Sequence, residues 1–550
     1  MESPKHAGDI AVAVSKAYGI ETMFTLSGGH IFPLYDGAVH EGMPILDVRH
    51  EQSAVFAAEA TARLTRKPGL AVLTAGPGIT NGVSGVATAH FNGSPVVVMG
   101  GRAPQSRWGS GALQEIDHPP LFAPITKLAF TGSGADSIAQ DVEMAFRTAL
   151  APHRGPVFLD FHMDHLFSAA SPLEEAPETL TPSPLEPDPD ALASIARLIA
   201  EARHPVLVLG SDVWMDRAEE VARSFVEEYR LPVVPNGQGR GILPSGHELL
   251  VTRARGVAFS QADLVIVAGA PIDFRVGYGW FGGKDGAPLA KVVHLADAPS
   301  QLTTHMEPAA VAAGDLSLLF WSLGAACADA GVSPKTYAPW VEQLSEAASA
   351  AVAADVGLLE SASDPIHPLR IYGELGKVLA DDAVVIGDGG DFVSYAGKYV
   401  EPRQPGNWLD PGPYGCLGTG LGYAIAARIA RPSSQVVLLL GDGAAGFSLM
   451  DVDTLVRHRL PVVMICGNNG IWGLEKHPMQ MLYGYDVAAE LQPQCRYDQV
   501  VTALGGGGEL VTDPSEIGPA LRRAFDSGIP YMVNIATDPS VAYPRHTTGI

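Results

Sequence analysis

Short apolar runs, most of them ending at or near a glycine, recur along the whole chain and alternate with stretches of amphipathic helical periodicity. Runs this short are typical of strands that are buried on both faces, as they are in parallel sheets. Strands that alternate with helices predict an α/β protein built from doubly wound parallel sheets. The predicted strands lie in residues 71–73, 95–99, 157–160, 206–210, 264–269, 384–387, 436–441 and 462–467, and the predicted helices in residues 9–18, 53–64, 216–229 and 449–458.

Two segments interrupt this alternation. Residues 168–189 are rich in Pro, Glu and Ser with little periodicity, and residues 341–364 include a stretch rich in Ala, Ser and Asp. We interpret both segments as linkers between domains. They divide the chain into an N-terminal domain (1–167), a central domain (190–340) and a C-terminal domain (365–550), each of ordinary domain size.

Composition narrows the class of protein. Hydrophobic residues make up 47% of the chain and charged residues 17%, which is ample for several buried cores. The net charge of −24 opposes binding to nucleic acid or to an anionic membrane, and no apolar stretch reaches the ~18 residues of a membrane span. The four cysteines form no CxxC pair. We expect a cytoplasmic protein with neither nucleic acid nor membrane among its partners.

Two predicted strands of the C-terminal domain end in residues suited to bind a metal and a phosphate. The sequence GDGA follows one strand at residues 441–444, and GNN follows the other at residues 467–469. The carboxyl ends of parallel strands meet at one edge of a sheet. Glycine allows the backbone to approach a phosphate closely, and the oxygen atoms of Asp442 and Asn469 are ligands that Mg²⁺ prefers.

A GDG sequence alone is more often a structural turn between a strand and a helix. The chain contains a second copy at residues 387–389, but no asparagine pair follows it at the corresponding distance. We therefore interpret Asp388 as a structural or peripheral residue.

The combination of GDG with an asparagine pair resembles the motif of the thiamine diphosphate-dependent enzymes, and the spacing from Asp442 to Asn469 matches that family. The resemblance implies that Mg²⁺ is held by these two side chains and by the backbone carbonyl of Ile471. Leu417, in the sequence GCLG, resembles the bulky residue that holds the cofactor in its bent form, although a core role suits a leucine equally. The resemblance also implies that Gly441, Gly443 and Ala444 contact the diphosphate of the cofactor.

The N-terminal domain carries two further segments that resemble this family. RHEQSA at residues 49–54 resembles the segment of the activating glutamate, which implies that Glu51 shares a proton with the pyrimidine ring of the cofactor. GPGITN at residues 76–81 resembles the loop beside that ring, with Gly76, Pro77 and Asn81 as cofactor contacts. Because these segments and the metal motif lie in different domains, the resemblance implies a homodimer or homotetramer with active sites between subunits.

Three local patterns resemble acetolactate synthase in particular. SGGH at 27–30 and LQE at 113–115 make His30 and Gln114 candidates for orienting the substrate, together with His477. GAPIDFRV at 269–276 places Arg275 where that enzyme binds the carboxylate of the second keto acid, although Arg275 can instead be a loop arginine paired with Asp273. In acetolactate synthases the central domain binds FAD, but Pro271 replaces the first arginine of the motif.

Other positions depart from the acetolactate synthase pattern. HMD at residues 162–164 replaces a segment that carries a lysine, and GIW at 470–472 is closer to 2-hydroxyacyl-CoA lyase and oxalyl-CoA decarboxylase. We expect condensation of two pyruvates to 2-acetolactate, for branched-chain amino acid biosynthesis, with a regulatory subunit as an additional partner that the family allows. The CoA lyase or decarboxylase is the alternative. An inactive partner subunit is less favoured, because Glu51, Asp442 and Asn469 are all retained.

Overall fold

A computed structural model describes residues 6–170 and 183–544. It contains three sheets, and every strand in them runs parallel to its neighbours. Each sheet lies within one of the three predicted domains. The predicted fold class, three α/β domains with parallel sheets, is confirmed.

The N-terminal sheet has the strand order β2-β1-β3-β4-β6-β5. Alternate residues of its strands enter two separate cores. Leu70 and Val72 pack against the helices at residues 7–17 and 138–150, and Ala71 and Leu73 pack against the helices at residues 51–65 and 83–91. Its strands are β1 (Met23–Thr25), β2 (Ile45–Asp47), β3 (Gly69–Leu73), β4 (Val96–Arg102), β5 (Leu128–Thr131) and β6 (Val157–His162). Its helices are α1 (Ala7–Ala17), α2 (Phe32–His40), α3 (Glu51–Thr65), α4 (Pro77–Asn81), α5 (Val83–Phe91), α6 (Pro119–Phe122), α7 (Ile138–Leu150) and α8 (Met163–Phe167).

The central sheet has the order β11-β10-β9-β7-β8. Its strands are β7 (Pro205–Leu209), β8 (Val233–Pro235), β9 (Leu264–Ala268), β10 (Lys291–Ala296) and β11 (Ala310–Ala313). The helices of this part of the chain are α9 (Pro189–Glu201), α10 (Ser211–Met215), α11 (Glu219–Tyr229), α12 (Arg255–Gln261), α13 (Leu316–Asp329) and α14 (Ala338–Leu359).

The C-terminal sheet has the order β13-β12-β14-β15-β17-β16. The two strands that precede the GDGA and GNN sequences are therefore neighbours, as the metal-site hypothesis requires. The strands are β12 (Val384–Asp388), β13 (Trp408–Leu409), β14 (Val436–Gly441), β15 (Val463–Asn468), β16 (Gly507–Val511) and β17 (Tyr531–Ala536). The helices are α15 (Pro368–Leu375), α16 (Gly390–Tyr399), α17 (Thr419–Ala430), α18 (Asp442–Ser448), α19 (Val452–Arg457), α20 (Gly473–Tyr483), α21 (Tyr497–Ala503) and α22 (Ile517–Asp526).

The second predicted linker, residues 341–364, is mostly helical. Most of residues 341–364 belongs to the long helix α14, because Ala, Glu and Leu favour a helix and neither Gly nor Pro interrupts it before Gly357. Trp340 and Leu344 anchor its first turns in the core of the central domain. Of the first predicted linker, residues 171–182 lie outside the described part of the chain.

Helices α3 and α17 join the N-terminal and C-terminal domains in one shared core. They approach closely because Gly422 has no side chain: a Cβ there would lie 2.7 Å from the Cβ of Phe56. Asp451 fixes the start of α3, accepting hydrogen bonds from the Ser53 hydroxyl (2.5 Å) and from the Arg49 backbone (2.7 Å). The same helix pair thus positions Glu51, at the start of α3, and the loop that precedes α17.

No single helix in the described ranges is long and apolar enough to cross a membrane. The helix α13 and the segment Pro334–Leu359 pass that test only as a pair, bent by 95°. The four cysteines are free thiols in the structure.

Candidate active site

The GDGA and GNN sequences meet at the carboxyl edge of the C-terminal sheet. The Oδ2 atom of Asp442 accepts a hydrogen bond of 2.7 Å from the backbone of Gly470, and Oδ1 of Asn469 faces the backbone N–H of Ile471 at 3.2 Å. The three predicted metal ligands therefore surround one turn. Their donor set, a carboxylate, an amide and a backbone carbonyl, suits a hard divalent cation.

Burial makes this turn favourable for a cation. Asp442 is 3% exposed, and burial raises the pKa of its carboxyl group to about 6. Asp391, which sequence reasoning missed, lies beside it and accepts a hydrogen bond from Asn469 Nδ2 (3.2 Å). Burial also raises the pKa of Asp391. A divalent cation would offset the cost of holding these two acids together.

Leu417 lies across the turn that follows β12. A Cβ on Gly389 would lie 2.1 Å from Cδ2 of Leu417, so this close contact requires glycine. Asp388 fixes the backbone that follows Leu417, because its carboxylate accepts hydrogen bonds from the backbone of Gly418 (2.8 Å) and Gly420 (3.0 Å). This placement agrees with a structural role for Asp388.

Gly443 is required for packing inside the site. A Cβ there would lie 2.4 Å from the ring of Trp472, which follows the GNN turn. Gly446, one helical turn later in α18, has nothing within 4 Å of the same position. The indole therefore covers the first turn of α18 and holds the GDGA and GNN sequences together.

A cavity of about 670 Å³ extends from this turn into the central domain. The C-terminal domain contributes the predicted cofactor contacts, and the central domain contributes three arginines and an aromatic ring. The lining includes Gly441, Asp442, Gly443, Ala444, Ile471, Leu417, Asp391, Arg240, Arg255, Phe274 and Arg275. The glycine backbone in this lining and the acidic metal turn fit the diphosphate and Mg²⁺ of thiamine diphosphate.

Glu51 and the GPGITN loop form a second cluster in the N-terminal domain. Glu51 is 7% exposed, and its Oε2 accepts a hydrogen bond of 2.9 Å from Asn81 Nδ2. A Cβ on Gly78 would lie 2.6 Å from Cγ2 of Thr74, so the loop is packed closely beside the glutamate. The structure thus brings Glu51 and Asn81 together, as the two sequence segments predict.

A buried histidine fixes this loop, and sequence reasoning did not find it. His118 is fully buried; its Nε2 accepts a hydrogen bond from the backbone of Gly76 (3.0 Å), and its Nδ1 lies 2.7 Å from Asp160. Because Nε2 accepts from Gly76, Nδ1 is the ring atom left to donate to Asp160. Asp160 is held in turn by Arg102 at 3.3 Å. No short motif marks this set, since its members come from distant segments.

His30 and Gln114 lie beside the same loop. Nδ1 of His30 is 3.3 Å from the Thr74 hydroxyl, and burial lowers the pKa of the His30 ring. A Cβ on Gly76 would lie 2.8 Å from the Cβ of Gln114. His477 lies in the C-terminal domain instead, where its Nε2 is buried without a hydrogen-bond partner.

Arg275 lines the large cavity, but its guanidinium is engaged. It forms hydrogen bonds with both carboxylate oxygens of Asp273, the shortest at 2.7 Å. The structure therefore shows the ion pair between Arg275 and Asp273, which was the alternative to carboxylate binding for this residue.

Glu51 does not line the large cavity of its own chain. The lining of the large cavity includes none of the described residues of the N-terminal domain, and so not Glu51. Apolar side chains near both clusters are exposed: Leu113 by 77%, Phe447 by 51% and Met450 by 54%. Exposed apolar surface of this kind indicates protein contacts.

A second cavity, of about 620 Å³, lies at the carboxyl ends of the central strands, where α/β sheets commonly bind nucleotides. Among the cations that line it, His153 lies 2.8 Å from Asp297, Arg154 is paired with Asp216 and Arg275 is bound to Asp273, whereas Lys127 forms no ion pair with a described residue. Asp212 also lines it, and burial raises the pKa of this carboxyl group to about 7.

Comparison with known proteins agrees with this geometry. The model of the thiamine pyrophosphate enzyme N-terminal TPP binding domain matches residues 5–121, that of the central domain residues 192–323, and that of the C-terminal TPP binding domain residues 388–535. Thiamine pyrophosphate is another name for thiamine diphosphate.

Full-length relatives fall into two groups. The chain is 50% identical over 547 residues to the acetolactate synthase large subunit IlvG of Mycobacterium tuberculosis, covering 98% of this chain and 97% of that protein. It is 34% identical over 571 aligned residues to 2-hydroxyacyl-CoA lyase 2 of Caenorhabditis elegans, covering 96% and 88%. The human protein of that name is 31% identical over 583 aligned residues, covering 97% and 90%.

Proposed function

The chain belongs to the thiamine pyrophosphate enzymes, and from this premise we propose that it is an acetolactate synthase, which condenses two pyruvates to 2-acetolactate. The observation that carries the proposal is the 50% identity to an acetolactate synthase large subunit over nearly the full length of both chains. The similarity to the CoA lyases is lower, at 34% or less in the relatives compared.

Each cluster of residues has a distinct task in this reaction. When bound, thiamine diphosphate supplies a nucleophilic carbon and an acceptor for the electron pair left by carbon dioxide. Asp442, Asn469 and the carbonyl of Ile471 would hold Mg²⁺ and through it the diphosphate. Leu417 would support the bend of the cofactor, and Glu51, oriented by Asn81, would hold a proton at the pyrimidine ring.

The overall reaction consumes a proton. Two pyruvate anions and one proton give one acetolactate anion and one carbon dioxide, and the new alcohol carries the added proton. His30 and Gln114 remain our candidates for orienting the substrate and moving this proton, because both lie beside the loop that fixes Glu51.

We also propose that the protein acts as a homodimer or a larger homo-oligomer in the cytoplasm. The absence of Glu51 from the cavity lining of its own chain supports this assembly, since Glu51 of one subunit could then complete the metal-binding cavity of its partner. The exposed apolar side chains near both clusters would be buried by the same contact. No flavin is part of the proposal.

Product analysis tests the proposed function. Purified protein with thiamine diphosphate and Mg²⁺ is offered pyruvate in one reaction, and a 2-hydroxyacyl-CoA or oxalyl-CoA in others. We expect acetolactate and carbon dioxide from pyruvate, lost when thiamine diphosphate is omitted. Cleavage of a CoA ester without formation of acetolactate would instead establish the lyase or decarboxylase.

A further inference from the structure

A loop of residues 103–118 connects β4 to α6, and a cluster of charged and polar side chains joins its two ends. Arg102, the last residue of β4, donates hydrogen bonds to Asp117 (2.9 Å) and to Oδ2 of Asp160 on β6 (3.3 Å). Nδ1 of His118 lies 2.7 Å from the same oxygen of Asp160. Both ends of the loop are therefore tied to one carboxylate.

The other ring nitrogen of His118 binds a different segment. Nε2 accepts the N–H of Gly76 at 3.0 Å, so the ring bridges Asp160 and the residue before α4. A histidine suits this bridge, because a carboxylate on Nδ1 leaves Nε2 as an acceptor. His118 is fully buried, so loss of the ring would leave the N–H of Gly76 without a partner, at a cost in free energy.

Gly76 is the point at which this bridge meets the residues of the proposed reaction. Its backbone has φ +60° and ψ −116°, a conformation that favours glycine. A Cβ on Gly76 would lie 2.8 Å from the Cβ of Gln114, whose own φ is +60°. Backbone in such conformations persists only where surrounding contacts hold it. The hydrogen bond from Gly76 to His118 is one of these contacts.

Helix α4 links Gly76 to the activating glutamate. The carbonyl of Gly76 accepts a hydrogen bond of 3.0 Å from the backbone of Thr80, so Gly76 is part of the first turn of the helix. Asn81, the last residue of α4, donates to Oε2 of Glu51 at 2.9 Å. A Cβ on Gly78 would lie 3.6 Å from Oε1 of Glu51. A shift of Gly76 would therefore move the residues that contact both carboxylate oxygens.

We propose that His118 is a positioning residue for the activation of the cofactor. By holding Gly76, it keeps Glu51 in place through α4 and keeps Gln114 against the same turn. This inference rests on the role of Glu51 in the proposed function. A displacement of about 1 Å can lower the rate of a reaction by roughly 100-fold, so a hydrogen bond remote from the reacting atoms can control it.

Three substitutions of His118 and one control separate this role from a general effect on folding. Glutamine can accept from Gly76 and donate to Asp160, asparagine is too short to reach both, and phenylalanine fills the space without either bond. His294→Phe is the matched control. His294 is also buried, at 1% exposure, and its ring bridges two backbone groups of the central domain at 3.0 and 3.1 Å.

Amide hydrogen exchange of the cofactor-free protein tests the contact with Gly76. Peptides that cover residues 74–82 should exchange faster in His118→Phe and His118→Asn than in the wild type, because the turn loses a hydrogen bond. His118→Gln should exchange at nearly the wild-type rate, and His294→Phe should leave these peptides unchanged. Equal exchange of these peptides in the wild type and His118→Phe would overturn the proposal.

The effect on Glu51 is measured on the bound cofactor without any keto acid. The proton on the reactive carbon of thiamine diphosphate is exchanged for deuterium at saturating cofactor, and its rate of exchange is followed by NMR after acid quench. This rate should fall by about 10- to 100-fold in His118→Phe and much less in His118→Gln. An unchanged rate in His118→Phe, or an equal fall in His294→Phe, would overturn the proposal.

The remaining outcomes are also decisive. If His118→Phe does not fold, His118→Asn takes its place, and a deuterium exchange rate equal to that of His118→Gln would overturn the positioning role. Wild-type protein that accelerates deuterium exchange but forms no acetolactate would overturn the proposed function and leave His118 as a positioning residue. Wild-type protein that does not accelerate this exchange would overturn the role of Glu51 and, with it, that of His118.

Discussion

Glu51 is the residue on which activation of the cofactor depends most directly. It is nearly buried, and Asn81 fixes one of its carboxylate oxygens. We predict that Glu51→Gln lowers the rate of acetolactate formation by ~10²- to 10⁴-fold, because the amide cannot exchange a proton with the cofactor. The near-isosteric change should leave the thermal unfolding midpoint close to that of the wild type. Glu21→Gln, at an exposed ion pair with Lys67, is the control and should keep full activity.

Asp212 predicts a dependence of stability on pH. Burial first, and Asp297 next, raise the pKa of its carboxyl group in the folded protein to about 7, whereas an unfolded aspartate titrates near 3.8. The folded state therefore binds the proton more tightly between these values, and stability falls as the pH rises through this window. Asp212→Asn should remove this loss of stability at high pH.

Thermal unfolding at two pH values measures the effect. Asp212→Asn should unfold at a higher temperature than the wild type at about pH 8, by a stability difference on the order of 1 kcal/mol or more, and the gain should shrink towards pH 4. His153, Arg154 and Asp216 contribute to the same cluster, so the difference between pH values, and not the absolute midpoint, is decisive. A gain of equal size at both pH values would contradict the predicted protonation of Asp212.

At this scale the sequence predicts contacts that belong to short motifs, and it misses those assembled from distant segments. Glu51 and Asn81, from two separate short segments, are joined by a hydrogen bond in the structure, and Asp442 meets the turn of Asn469. His118 and Asp160 were not predicted, because 42 residues separate them and neither stands in a recognisable pattern. The roles of the candidate site residues remain predictions.

Among the secondary-structure elements, α18 follows β14, begins at the predicted metal ligand Asp442 and tolerates no side chain at Gly443. We predict that Gly443→Ala lowers the stability by about 1–3 kcal/mol, because the added Cβ would meet the ring of Trp472. Binding of thiamine diphosphate should weaken with it, since the clash separates the GDGA and GNN sequences.

Gly446→Ala in the same helix is the matched control. A Cβ there meets nothing within 4 Å, so alanine should stabilise the helix by about 0.5–1 kcal/mol through its better helical propensity. Thermal unfolding with and without thiamine diphosphate compares the two variants. Equal shifts in both would show that helix propensity, and not contact with Trp472, governs this segment.

The pattern of strands was predictable because strands buried on both faces form continuous apolar runs. The helix α14 was not predicted, since its Ala-rich sequence lacks the apolar stripe that marks a helix packed along its whole length. Only its first turns are anchored in the core, at Trp340 and Leu344. Further along the helix, Asp355 pairs with Arg253 and Lys398, and helix propensity also favours this part of its length.

In the assembled molecule, Glu51 of one subunit should face Asp442 of another. One chain contains both clusters, yet its large cavity includes only the C-terminal and central residues. Activity should therefore fall on dilution below the concentration at which the subunits dissociate, and thiamine diphosphate should oppose this fall by binding across the interface.

Subunit complementation tests this central claim most directly. Glu51→Gln and Asp442→Asn are each purified as inactive variants, mixed under conditions that exchange subunits, and assayed for acetolactate. If the site forms between subunits, a hybrid dimer has one site with both Glu51 and Asp442 intact, and the mixture should recover up to about one quarter of wild-type activity. If each site forms within one chain, the mixture stays as inactive as its parents, and that result would contradict the account.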